Sequence, residues 1–175
     1  EVVLWDQNHE SNNIAWEVWS QRLGFTVKRV STPDAPQNNN QLLKPFLDAV
    51  GPRTKIVSFS HVSNISGIAL PAEALCKAIR KKGALSLCDG AQTFGMAVQD
   101  LHNISCDFYT GSAHKWLCGP RETGVLFVRR SAQEDVWPPM VTHDWDKEGH
   151  RGARKFDNLG QRDDGRLEAL GTAVE

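Results

Sequence analysis

Short apolar runs bounded by glycine or polar turn residues recur along the chain: Glu1 to Trp5, Phe25 to Val30, Lys55 to His61, Ala84 to Asp89, Asp107 to Thr110 and Gly124 to Val128. Runs of this kind predict strands of a sheet covered on both faces. Between them the apolar period changes. Ile14, Ala15, Val18, Trp19 and Leu23 recur at helical spacing after a polar loop from Asp6 to Asn13, and Gly24 supplies a stop. Leu42, Leu43, Phe46, Leu47 and Val50 mark a second helix, with Pro45 either in its first turn or kinking it. A third runs from Pro71, where a missing N–H costs nothing, to Lys82, and Gly83 ends it. The ten residues between Ala113 and Gly124 are too few for a helical crossover, so the last strand should run antiparallel to its predecessor. The pattern predicts an α/β fold with a mostly parallel sheet and one reversed strand. After Arg130 the text changes to Trp137, Pro138 and Pro139 and then to a charged segment, His143 to Arg166, with no clear period.

Composition narrows the class without naming a chemistry. A chain of 175 residues has room for one sizeable core, and a formal net charge of -1 gives no reason to expect nucleic acid as a partner. No apolar segment approaches the length of a membrane span, and the first residues lack the layout of a signal peptide, so no membrane partner and a cytoplasmic address are expected. The strand at Glu1 begins without a preceding turn, so the chain reads as cut rather than started. Cys76, Cys88, Cys106 and Cys118 form no CxxC pair and read as small buried hydrophobes, with no disulfide and no metal. His102, His143 and His150 lack metal-ligand spacing and read as surface residues. Trp5, Trp16, Trp19 and Trp116 read as core or interface mass. No GxGxxG follows the first strand, which disfavours a dinucleotide-binding domain.

Chemistry-bearing residues cluster at the carboxyl ends of the predicted strands, where open α/β sheets bind ligands. They are Asp89 and Gln92 in CDGAQ, Ser112, His114 and Lys115 in SAHKWLCGP, Asn64 in HVSN, and His9 in DQNHESN. Four such strings in fixed order resemble the class V aminotransferase family of pyridoxal phosphate enzymes, which includes cysteine desulfurases, selenocysteine lyases and isopenicillin-N-epimerase-like proteins. The resemblance covers most of residues 1–130, and the tail KFDNLGQRDDGRLEALG is similar to the epimerase-like branch. It implies part of a fold-type-I large domain, a three-layer α/β/α sandwich, over residues 1–130, with 131–175 leading towards a small C-terminal domain. It also implies an amino-acid substrate and a homodimer when full length.

The residue roles that the resemblance implies suit the chemistry. Pyridoxal phosphate is an electron sink whose ring nitrogen must stay protonated, a task for a carboxylate such as Asp89. A lysine must hold the aldehyde as a Schiff base and shuttle a substrate proton, and that is Lys115. Gln92 is expected to donate to the phenolic oxygen, Asn64 to lie near it, Ser112 and His114 to bind phosphate, and His9 to stack on the ring and touch the substrate's protons. Arg154 is a candidate fork for a substrate carboxylate. His61 and Ser63 share the Asn64 loop without an assigned role, and Cys118 reads as packing. Three departures stand out: no phosphate-binding segment precedes the first strand, Glu122 stands in a loop that is usually glycine-bearing, and Gly160 and Gln161 replace a Gly-Thr pair that reaches a partner subunit. The expected activity is epimerase-like or C–S-lyase-like, with an aminotransferase proper, or a catalytically incomplete remnant or interaction module, as alternatives. The isolated chain is expected to be a weak enzyme or none.

Overall fold

In the computed structural model, which describes residues 1–140, 152–156 and 163–175, each apolar run is a strand. They are β1 (Val2–Trp5), β2 (Val27–Val30), β3 (Ile56–Ser60), β4 (Leu85–Asp89), β5 (Phe108–Ser112) and β6 (Gly124–Val128). The sheet order is β2-β1-β3-β4-β5-β6. All neighbours are parallel except β5 and β6, which pair antiparallel from Phe108 with Val128 to Ser112 with Gly124. The short connection before β6 thus has the predicted consequence.

Helices α1 (Glu10–Leu23), α2 (Asn39–Ala49), α3 (Ala72–Lys81) and the single turn α4 (Leu101–Ile104) join the strands. The path steps outward from β1 to β2, then back past β1 to β3 and onward. Right-handed crossovers taken in opposite directions put α1 on one face of the sheet and α2 to α4 on the other, and α2, α3 and α4 do pack side by side. Ala72, Leu75, Cys76 and Ile79 of α3 fall at helical spacing and are all buried. They meet Val57, Phe59, Cys88 and Tyr109 of the sheet together with Phe46 of α2. Burying each such side chain contributes about 1.5–3 kcal/mol.

At the opposite end of the sheet from the strand termini discussed below, Asp107 ties four elements together. Its side chain is buried; it accepts from the Ser86 N–H and hydroxyl at 2.9 Å and faces the guanidinium groups of Arg80 and Arg129 at 3.1 Å. The Arg129 Nε contact is an ion pair too far off line to count as a hydrogen bond. Asp107 is the buried member, and leaving its carboxylate without cationic partners would cost up to about 3–5 kcal/mol.

The structure departs from the sequence expectations in places. α1 begins at Glu10, so the preceding loop is shorter than its polarity implied, and no α1 side chain joins the main core. Ile14, Val18, Trp19 and Leu23 are exposed, because among the described residues little packs over that helix. Pro45 sits seventh of the 11 residues of α2, beyond its first turn. Two helices have no signal in the reading above: α4, capped by Asp100, and α5 (Asp164–Val174), capped by Asp163 and without a buried residue. Trp5 is fully buried with its indole N–H on Thr32 Oγ1 at 3.1 Å, whereas Trp19 and Trp116 are exposed. Cys76, Cys88 and Cys106 are buried as expected, but Cys118 is exposed, since it lies in a left-handed turn at φ 58° on the surface. His143, His150, Gly160 and Gln161 lie outside the described residues.

Candidate active site

The first strand end to contribute is that of β1. Asn8, buried, spans the gap where β1 and β3 diverge: its Nδ2 donates to Ser58 O and Asn13 Oδ1 at 3.1 Å, and its Oδ1 accepts from Ser60 N at 2.7 Å. This stitch fixes where α1 starts. His9 is the N-cap, and its Nδ1 accepts from Ser11 N at 3.3 Å. A backbone N–H can only donate, so in the neutral ring the proton sits on Nε2.

After β3 the chain makes a tight loop held by Ser63, whose hydroxyl donates to Gln7 O at 3.0 Å and accepts from Ile65 N at 3.1 Å. That loop carries Asn64, exposed at its tip. After β4, Asp89 Oδ1 accepts from Ala91 N at 2.9 Å, and Gly90 N donates to Thr110 O at 2.7 Å. A Cβ at Gly90 would overlap the Tyr109 ring, so only glycine lets the chain turn directly after the acid. After β5, a turn in which Cys118 N donates to Lys115 O at 3.0 Å and Gly119 N to Ala113 O at 2.8 Å brings Lys115 back over the strand ends.

These loops converge. His9, Asn64, Asp89, Gln92, Ser112, His114 and Lys115 all line one hollow of about 310 Å³, together with Ser11, Ser60, Val62 and Ala91. Its volume is at the lower end of the range for small-molecule sites, about 300–1,000 Å³. Ser60 and Ser11 were not singled out in the sequence, although Ser60 closes β3 and the strand-end rule points to it. The scaffold roles of Asn8 and of Ser63, which was left without an assigned role, were hidden for another reason: Asn and Ser in polar loops read as turn residues, and only the tertiary partners reveal a scaffold.

Arg154 is not brought to the hollow. It lies exposed on a 3-10 turn, Gly152–Phe156, where Lys155 is buried and donates to Gln133 O. Glu122 does not line the hollow either; it sits at φ 63° and pairs with Arg166 of α5. His61 is mostly buried, and desolvation lowers its pKa below the usual 6.5. Burial also pushes the Cys76 thiol up to about 12 and raises those of Cys88 and Cys106, so none of the three is a ready nucleophile.

The donor set fits pyridoxal phosphate. That group presents a ring nitrogen, a phenolic oxygen, an aldehyde and a phosphate, and the hollow offers a carboxylate, two amides, an amine, and hydroxyl and imidazole groups around one space. The main-chain fold that carries them is found elsewhere. A solved structure of a C-DES mutant with glycine covalently linked to its PLP cofactor superposes with a TM-score of 0.84 at 21% identity, covering 99% of this chain and 48% of that one. Isopenicillin N epimerase of Amycolatopsis lactamdurans is 33% identical over 174 residues, 98% of this chain and 44% of the relative. A probable cysteine desulfurase of Mycolicibacterium paratuberculosis is 34% identical over 150 residues, 86% of this chain and 20% of the relative. The chain therefore spans less than half the length of each. The family model described as aminotransferase class-V matches residues 1–147, and the chain belongs to the class-V aminotransferase family.

Proposed function

We propose that this chain is the cofactor-binding part of a pyridoxal-phosphate-dependent enzyme that acts on an amino acid, in the manner of an epimerase or a C–S lyase. One observation carries the reading: Asp89, Gln92, Ser112, His114 and Lys115, from two different strand ends, meet His9 and Asn64 around a single hollow. Family membership and the likeness to relatives named as an epimerase and a desulfurase support it.

When bound, pyridoxal phosphate supplies an electron sink for charge developing on an attached amino acid. The residues of this chain supply the rest. Asp89 would hold a proton on the ring nitrogen by a charge-assisted hydrogen bond. Lys115 would hold the aldehyde through Nζ and, once displaced by the substrate amine, move the proton of the α carbon. Ser112 and His114 would take the phosphate, Gln92 and Asn64 would face the phenolic oxygen, and the His9 ring, fixed by its cap contact, would cover one face. Return of the proton to the opposite side of the α carbon is epimerisation, and departure of a β substituent with its bonding electrons is lyase chemistry. A homodimer and a cytoplasmic address belong to the same reading; among the described residues no helix is long and apolar enough to cross a membrane.

The test is covalent. Borohydride reduction of the cofactor-loaded chain followed by peptide mapping is expected to place the pyridoxyl group on Lys115. An adduct on Lys81 or Lys82 would overturn the assignment.

A further inference from the structure

Gln92 stands on the wall between two hollows. One is the site just described; the other, of about 260 Å³, is also bounded by Met96 and Trp116. Across the second hollow the indole Nε1 of Trp116 donates to Gln92 Oε1 at 3.0 Å. An indole N–H has no acceptor capacity, so the amide must present its oxygen there, and the NH2 is the end left for the first hollow. The loops that carry the two residues also meet backbone to backbone. Gly95, at φ +80°, lies so close to Leu117 that a Cβ would fall 2.6 Å from its main chain, and this holds Trp116 in register with Gln92.

We propose that Trp116 is a positioning residue that biases the Gln92 amide to turn its NH2 towards the site. This rests on the proposed function, in which Gln92 faces the phenolic oxygen of pyridoxal phosphate. Without the indole the amide can turn over and present its oxygen to another oxygen, which replaces a hydrogen bond with repulsion. Trp116 is 55% exposed, so water competes for the contact and the indole biases the amide rather than locking it.

With pyridoxal phosphate held by Lys115, titration of the loaded site would report the arrangement, because a donor aimed at the phenolic oxygen would favour its anion and lower the pKa. The chain, loaded with excess pyridoxal phosphate, is titrated with pH while its visible absorbance is followed. Gln92→Leu should raise the midpoint. Trp116→Phe should raise it in the same direction by about 0.3–1 pH unit, the size of one ordinary hydrogen bond. The double variant should go no higher than Gln92→Leu. A parental midpoint in Trp116→Phe or in Gln92→Leu, or additive shifts in the double variant, would overturn the proposal. A second measurement needs neither cofactor nor tryptophan variant: in 15N spectra of the unloaded protein the Trp116 indole N–H signal should move in Gln92→Leu, and an unmoved signal also refutes the contact. If reduction places no adduct on Lys115, the cofactor reading fails by itself, and the indole signal still judges the contact.

Discussion

His61 shows how one residue can be held by its backbone while its side chain is a cost. Its N–H donates to Asp89 O at 2.8 Å and its carbonyl accepts from Leu70 N at 2.9 Å, which binds the end of β3 to the end of β4. The ring follows into a mostly buried place where Nδ1 has no hydrogen-bond partner among the described residues, and desolvation lowers the pKa. The folded pKa lies below the unfolded one, so the unfolded chain takes up the proton first as pH falls. Stability from this group is therefore complete above the usual 6.5 and is lost as pH drops from there to the depressed folded value. Urea denaturation at about pH 7.5 and about pH 5.5 should show the parent losing more stability than His61→Phe, since only the parent can protonate here. Equal losses would mean that another group controls the acid limb. The three buried thiols behave oppositely: burial raises their pKa values, so they stay neutral on both sides of this window.

Between elements, the site depends on stitches that no strand ladder provides. β1 and β3 are paired over Val2 to Leu4, and the ladder stops there. Asn8 bridges the gap with three hydrogen bonds, and Asn13 adds a fourth by donating to Trp5 O at 3.0 Å. Asn8→Ala would leave the Ser60 N–H and Ser58 carbonyl without their partners in a buried place. The expected loss is about 2–4 kcal/mol of unfolding free energy, read as a lower denaturation midpoint at unchanged slope. A loss below about 0.5 kcal/mol would show that water replaces the amide at no cost. The same substitution should weaken cofactor loading, because His9 and Ser60 take their places from this stitch.

At the scale of the molecule, the two faces of the sheet differ. One is closed by α2 and α3 over a continuous core. The other carries α1, whose Ile14, Val18, Trp19 and Leu23 are each at least 46% exposed. Clustered exposed apolar side chains on one helix bind hydrophobic probes. The chain should therefore enhance the fluorescence of an anilinonaphthalene dye in its folded state, and Trp19→Lys with Leu23→Lys should reduce that signal without changing the unfolding midpoint by more than about 0.5 kcal/mol equivalent. Unchanged dye binding in the double variant would locate the apolar surface elsewhere.

The sequence by itself determined the strands, helices α1 to α3 and the reversal of β6, because apolar period, glycine stops and loop length act locally and each leaves a mark in a few adjacent residues. It also determined which side chains could do chemistry: Asp89, Gln92, Ser112, His114 and Lys115 are legible as motifs at strand ends. Tertiary structure alone decided which of them meet. It brought His9 and Asn64 to the same hollow and left Arg154 on a turn outside its lining, since long-range placement follows from strand order and not from spacing along the chain. It also decided how each apolar stripe is used: the sharply segregated α3 stripe is buried against the sheet, whereas the weakly segregated α1 stripe stays exposed. The roles of Asn8 and Ser63 and the Trp116–Gln92 pairing were invisible for the same reason: a polar side chain in a loop acquires its role from a partner far away in sequence, and only the fold supplies the partner.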